Sequence, residues 1–280
     1  MWDTFAMTPQ PMRAWSSIDD AALAPVRGVL TDIDDTLTRD GAIEPSALEA
    51  LQLLADAGIP VIAITGRPAG WSEPFARSWP VRAIVAENGA VMLRRSDAGP
   101  DLAISFTQDE PTRQANFARL QACAAAIVAT VPGARMAEDS AGRLTDIAID
   151  HSEFTHLPPE QIDAVVALMR AHGLTATVSS IHINGWIGQH SKLTAAAWAV
   201  PALLGHAFYA AEWLYVGDST NDQLMFQHIP LSVGVANIAR FVPQLQHLPA
   251  WVTQAERGQG FAEMAQRLLA HGSTAAAISR

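Results

Sequence analysis

Val26-Arg27-Gly28-Val29-Leu30-Thr31-Asp32-Ile33-Asp34-Asp35-Thr36-Leu37-Thr38 reads as an apolar strand that carries two carboxylates, two residues apart, to its far end. α/β proteins gather their chemistry just beyond the carboxyl ends of such strands. Strand alternation sets Asp32 and Asp34 on one face, one pleat apart. A turn after them lets one side chain reach a substrate while its neighbour handles a proton. The same residues also suit a strand-to-helix turn in which an aspartate only caps a helix. The motif alone leaves both readings open, because short motifs recur by chance.

Three further segments weigh on that choice. Val61-Ile62-Ala63-Ile64-Thr65-Gly66-Arg67-Pro68 is a second apolar strand, ending in a hydroxyl, a glycine and a cation. Thr65 and the backbone left uncovered by Gly66 suit a phosphoryl group, although strand-Thr-Gly is also an ordinary turn. Lys192 follows the polar stretch Gly188 to Ser191 and opens an alanine-rich helix. Trp213-Leu214-Tyr215-Val216-Gly217-Asp218-Ser219-Thr220-Asn221-Asp222 is a buried strand ending in a second carboxylate pair around Asn221. The i, i+4 spacing turns Asp222 back toward Asp218 at a helix opening. A simple cap needs Asp218 alone and leaves Asn221 and Asp222 without a purpose.

In this order, the four segments resemble the haloacid dehalogenase superfamily of aspartate-nucleophile phosphatases and phosphomutases. The Glu87-Asn88-Gly89-Ala90 turn, the Val233 to Asn237 strand and the Gly258-Gln259-Gly260-Phe261 segment are similar to the branch with an inserted α/β cap. That branch includes the Cof-like, sucrose-phosphate, trehalose-phosphate and mannosyl-phosphoglycerate phosphatases and phosphomannomutases of the same cap type. The resemblance implies Asp32 as nucleophile, Asp34 as general acid and base, Thr65 and Lys192 as partners of the phosphate and the nucleophile, and Asp218 and Asp222 as acids of a metal site. Gly66 and Asn221 are expected beside the substrate, and Arg67 either binds phosphate or clamps the cap. Asp35, where glycine is frequent, adds negative charge near the nucleophile, and Leu193 stands where a small residue is usual.

Phosphate-monoester hydrolysis is among the slowest uncatalysed reactions, with accelerations on the order of 10²¹ to explain. An anionic nucleophile approaching an anionic phosphate meets repulsion of about 4 kcal/mol per charge pair at 4 Å and an effective dielectric near 20. A cation is therefore required. The single cysteine, Cys123, lies in an alanine-rich helix, and the histidines lack zinc spacing. Carboxylates and water suit Mg²⁺, expected at Asp32, the main-chain carbonyl of Asp34 and Asp218, with Asp222 behind them. The implied activity is a Mg²⁺-dependent phosphatase acting through an aspartyl-phosphate on a small phosphorylated metabolite, with a sugar phosphate first. A phosphomutase and a catalytically silent binding protein are the alternatives.

Length and composition agree. The 280 residues suffice for one large core or two domains, and 49% hydrophobic with 16% charged residues is ordinary globular material. A net charge of −10 argues against nucleic-acid and anionic-membrane partners. One cysteine fits a reducing compartment, and Met1 to Gln10 contain no signal-peptide core. Pro201, Gly205 and His206 interrupt the apolar stretch Leu193 to Ala211, which reads as a helix and connector rather than a membrane span. The expectation is a cytoplasmic monomer or homodimer acting on a small phosphate ester.

Strand and helix signals alternate as in a doubly wound, Rossmann-like parallel sheet with helices on both faces. Pro45 opens a helix that Gly58 closes, Ala83 to Glu87 is a third strand, and Asn88-Gly89 suggests a hairpin returning through Val91 to Arg94. From Phe106 the rhythm becomes αββαββ: a helix over 112–131, strands near 134–137 and 143–150, a helix over 159–172, and strands at 175–179 and 182–186. The expected division is core 1–105, with an N-terminal extension 1–25, cap 106–187 and core 188–280, the tail from His271 frayed. Arg143, placed on a strand, and the alternating His182, Asn184 and Trp186 are the cap residues expected to face the cleft, Trp186 offering a flat surface to a sugar. The competing reading puts these on the solvent side of a half-buried sheet.

Overall fold

A computed structural model describes residues 11–96, 99 and 101–278; the expectation for Met1 to Gln10 lies outside the described residues. In chain order the elements begin with β1 (Arg13–Ala14), α1 (Asp20–Leu23), β2 (Gly28–Thr31), the short strands β3 (Thr38–Arg39) and β4 (Ala42–Ile43), and α2 (Pro45–Asp56). Next come β5 (Val61–Ile64), α3 (Ala69–Ser78), β6 (Ala83–Ala86), β7 (Val91–Arg95) and β8 (Leu102–Phe106). Then follow α4 (Glu110–Thr130), β9 (Arg135–Met136), β10 (Asp146–Asp150), α5 (Pro159–Ala171), β11 (Thr175–Val178) and β12 (His182–Trp186). The chain closes with α6 (Lys192–Leu204), β13 (Trp213–Gly217), α7 (Gln223–His228), β14 (Leu231–Gly234), β15 (Trp251–Val252) and α8 (Arg257–Ile278).

The apolar runs become one nine-stranded sheet in the order β1-β15-β14-β13-β2-β5-β6-β7-β8. It is parallel from β1 through β6, and β7 and β8 add an antiparallel edge. Alternate residues feed two separate cores, as the pleat demands. Val29, Val61, Ala63, Leu214 and Val216 pack with α2, α3 and α8 on one face. Leu30, Ile62, Ile64, Trp213 and Tyr215 pack with α6 and α7 on the other. Leu51 and Leu54 of α2 are fully buried, each contributing about 1.5–3 kcal/mol relative to exposure.

The four-stranded antiparallel sheet β11-β12-β10-β9, with α4 and α5, supplies the αββαββ order as a second unit. It has its own core: Leu120, Cys123 and Ile127 of α4 and Val165 and Met169 of α5 close on Ile147, Ile149 and Ile183. Alternation therefore turns Asp146, His182 and Asn184 to the opposite face. At its neck, the Gln108 side-chain amide donates to the Ile187 carbonyl at 2.9 Å.

Several boundaries differ from the sequence reading. β2 stops at Thr31, and Asp32 and Asp34 lie past it in a tight turn, where the Ile33 carbonyl accepts from the amides of Thr36, Leu37 and Thr38. Arg143 precedes β10 in a turn rather than sitting on the strand. The hairpin from β6 to β7 passes through a three-residue turn with Glu87 at φ 51° and Asn88 at φ 56°. β8 was not anticipated, although Leu102, Ile104 and Phe106 alternate as a strand requires. The backbone of α8 continues past His271 to Ile278 instead of fraying, and β1 pairs with β15, drawing residues 13–15 into the sheet and its core.

Candidate active site

β13, β2 and β5 are adjacent and parallel, so the residues beyond their carboxyl ends converge: Asp218 from β13, Asp32 from β2, Thr65 from β5. Lys192 joins them from the first turn of α6, where Ser191 caps the helix by accepting from the Thr194 amide and Gly205 ends it at φ 73°. The Lys192 ammonium donates to Asp32 Oδ1 at 2.5 Å, Asp222 Oδ1 at 2.6 Å and Asn221 Oδ1 at 3.3 Å. Asp222 Oδ2 accepts from the amides of Asp218 and Ser219 at 2.9 and 3.0 Å, and the Tyr215 hydroxyl donates to Asp222 Oδ1. A Cβ on Gly217 would collide with the Asp222 carboxylate, so this strand end tolerates no side chain.

Asp32, Asp218 and Asp222 each bring a carboxylate oxygen within 4.8 Å of the others, and all three are buried. Asp218 Oδ2 accepts from Asn237 and Arg240, whereas Asp218 Oδ1 is buried without a partner. An orphaned carboxylate oxygen among acids is the donor set a hard divalent cation takes. The electrostatics agree. Burial pushes Asp32 up to about 7 against the opposing charge of Lys192, with Asp222 and Asp34 adding to the rise. Burial, then Asp32 and Asp222, hold Asp218 well above the ordinary carboxylate range. Burial alone would lower Lys192, but Asp222 and Asp32 outweigh it and raise its pKa.

Asp34 points to a different partner. Arg67 Nε donates to both Asp34 oxygens at 3.0 and 3.1 Å, and its other nitrogens reach Asp139 and Glu153 at 3.2 and 2.7 Å. Burial, opposed by Arg67, leaves the Asp34 carboxyl above its ordinary value. Thr65 Oγ1, fully buried, accepts from the Arg67 amide at 3.0 Å.

Residues 29–114 match the model of the haloacid dehalogenase-like hydrolases. A phosphoglycolate phosphatase of Methanothermobacter thermautotrophicus is 24% identical over 257 residues, covering 87% of this chain and 99% of that protein. Among solved structures, a Thermoplasma acidophilum protein superposes with a TM-score of 0.66 at 19% identity over 87% of this chain and 98% of its own. The sucrose-phosphatase of Synechocystis, solved with sucrose and phosphate, gives 0.63 at 16% over 87% and 98%. Over residues 29–114 the chain is thus similar to haloacid dehalogenase-like hydrolases. At these identities the structural likenesses speak to the fold, and the family match covers the segment that holds Asp32, Asp34 and Thr65.

The second unit leans on the candidate site through polar contacts. Gly66 O accepts from Arg143 Nη1 and Asn184 Nδ2, both at 3.0 Å. Arg143 also pairs with Asp146 and Asp139, so its donors serve the contact between the units. His182 Nε2 lies 2.8 Å from Glu153. His182 and Asn184 line, with Asp32, Asp34 and Asn221, a cavity of about 10 Å³. Trp186 instead donates to the His190 carbonyl at 3.0 Å and stacks on that ring, away from this cavity. The whole of β12 is buried, so neither the solvent-side reading nor an open sugar-facing strand describes it.

Several site residues escaped the sequence reading. Arg240 and Arg257 both bind Asp35, at 2.7 and 2.8 Å, which offsets the extra charge noted near Asp32. Glu87 accepts from the amides of Ala69, Leu144 and Thr145 and from the Thr145 hydroxyl. Asp139, Glu153 and Asn237 likewise act through partners far along the chain, and Tyr215 through Asp222, seven residues on. Glu87 and Asn237 lay in the quoted Glu87 to Ala90 and Val233 to Asn237 segments, which were the local signals for them.

Proposed function

We propose that this phosphatase is a Mg²⁺-dependent phosphomonoester hydrolase working through an aspartyl-phosphate on Asp32, with small sugar phosphates as the leading substrate class. The unpartnered, buried Asp218 Oδ1 beside Asp32 and Asp222 carries this reading. Asp32, the Asp34 main-chain carbonyl and Asp218 would hold Mg²⁺, with Asp222 behind them fixing Asp218 and Lys192. The ion would supply positive charge against the phosphoryl oxygens, the chief electrostatic need of a loose transition state.

Asp32 attacks phosphorus as its bond to the leaving oxygen breaks, and protonated Asp34 gives its proton to that oxygen. Asp34 then removes a proton from the water that attacks the aspartyl-phosphate, releasing phosphate and restoring Asp32. Lys192 offsets the charge of Asp32 throughout, and Arg67 keeps the Asp34 carboxyl aimed at the cavity. We assign residues 106–187 as the cap, which selects the leaving group with His182 and Asn184; Arg143 ties it to Gly66. A cleft of about 270 Å³ beside Asp34, lined by Thr38, Arg67, Ser180 and Phe154 among others, gives that group room.

A phosphate-release screen over sugar phosphates, nucleotides and phosphorylated acids tests both levels. EDTA is expected to abolish turnover and added Mg²⁺ to restore it. Full activity in exhaustively chelated enzyme would refute the metal site, and a preference for another ester class would redirect the substrate assignment.

A further inference from the structure

Four of the 18 lysines and arginines of this acidic chain border one cleft remote from the catalytic acids. Arg77 comes from the last turn of α3, Arg82 precedes β6, and Arg94 and Arg95 end β7; Ala202 and Leu203 of α6 add an apolar wall. The cleft holds about 650 Å³, within the ~300–1,000 Å³ range of small-molecule sites. A second cleft of about 310 Å³ adjoins it and shares Arg82 and Arg95, its wall continuing through Ile59, Pro60, Pro80 and Leu204. A cationic compartment thus opens directly onto an apolar one.

Two of these arginines carry the argument. β6 and β7 pair Ile84 with Leu93, and continuing that register by two residues sets Arg82 against Arg95. Like charges opposed across an antiparallel ladder are destabilising without a counter-charge. Arg95 donates to the carbonyls of Trp79 and Val81 at 2.7 and 3.1 Å, which fixes its guanidinium without neutralising it. Among the described residues, neither Arg82 nor Arg95 meets a carboxylate. The Arg82 amide bonds the Val61 carbonyl at the amino end of β5, whereas Thr65 follows its carboxyl end. The length of β5, about 13 Å for four residues, therefore separates this cleft from the catalytic end.

We propose that the paired clefts form a second ligand site, distinct from the catalytic one, for a small organic polyanion with an apolar body, of the nucleoside polyphosphate class. The phosphates lie against Arg82 and Arg95, and the base or sugar occupies the Ile59, Pro60 and Leu204 wall. Titration calorimetry on the full chain in EDTA, with ATP and with inorganic tripolyphosphate as probes, tests this. ATP is expected to bind at one site about tenfold more tightly than tripolyphosphate. Arg82→Ala, an exposed change, is expected to weaken both about tenfold while p-nitrophenyl phosphate turnover and the unfolding midpoint stay at wild-type values. Undetectable binding of both probes, or an unchanged Kd for ATP in Arg82→Ala, overturns the site. Equal affinity for the two probes overturns its apolar half.

Discussion

Residues whose chemistry is written into local sequence were legible: acids at strand ends, a lysine opening a helix. Asp32→Asn keeps the volume of the side chain but not its nucleophilic carboxylate, and Lys192 retains Asp222. Turnover is expected to fall by about 10⁴-fold or more with the near-UV circular dichroism unchanged; wild-type rates would end the nucleophile assignment. Glu153 was not legible, because its partners Arg67 and His182 lie 86 and 29 residues away and no spacing rule connects them. Burial pushes its carboxyl up, but hydrogen bonds from His182 and Arg67 and the charge of Arg67 prevail and bring it down to about 2 from the ordinary 4.5. A depressed carboxyl stabilises the fold above its unfolded value and stops doing so as pH falls through the folded value. Glu153→Gln is therefore expected to cost about 2 kcal/mol at pH 7, discounted for partial exposure. The deficit should shrink between pH 4.5 and pH 2. Urea unfolding of both proteins across that span is the measurement, and a pH-independent difference would contradict it.

At the scale of elements, the buried parallel strands and their helices were legible because uninterrupted apolar runs bounded by Pro and Gly have few other uses. The short strands and turns were not. Arg143 was placed on a strand, yet the Glu87 carboxylate draws the amides of Leu144 and Thr145 out of any ladder. That carboxylate ties the turn after β6 to the loop before β10 and to the start of α3. Glu87→Ala leaves three backbone amides without their acceptor, and a loss of about 3 kcal/mol is expected. Thermal unfolding reads that cost, and a raised KM with little change in kcat would report loosening of the second unit over the site. An unchanged Tm would show that water replaces the carboxylate freely.

At the scale of the molecule, the change of rhythm near Phe106 gave the insertion away, since periodicity reports each core separately. How the two units meet was hidden, being set by Gly66, Arg67, Glu87 and Asn88 against Asp139, Arg143, Asp146 and Glu153 across long stretches of chain. Two cores predict two levels of stability. Ile127→Ala empties space only in the smaller core, at about 3 kcal/mol. Amide exchange in β10 and β12 should accelerate by about 10²-fold, with β2 and β13 retaining wild-type protection. Uniform acceleration would mean a single cooperative unit. The neck closed by Gln108 and Ile187 has a longer-term consequence. Two crossover points lying side by side allow the intervening stretch to be transplanted between relatives as a cassette, with no strand of the large sheet shifted in register. Under the proposed function, the residues that choose the ligand would then change without disturbing those that break the bond.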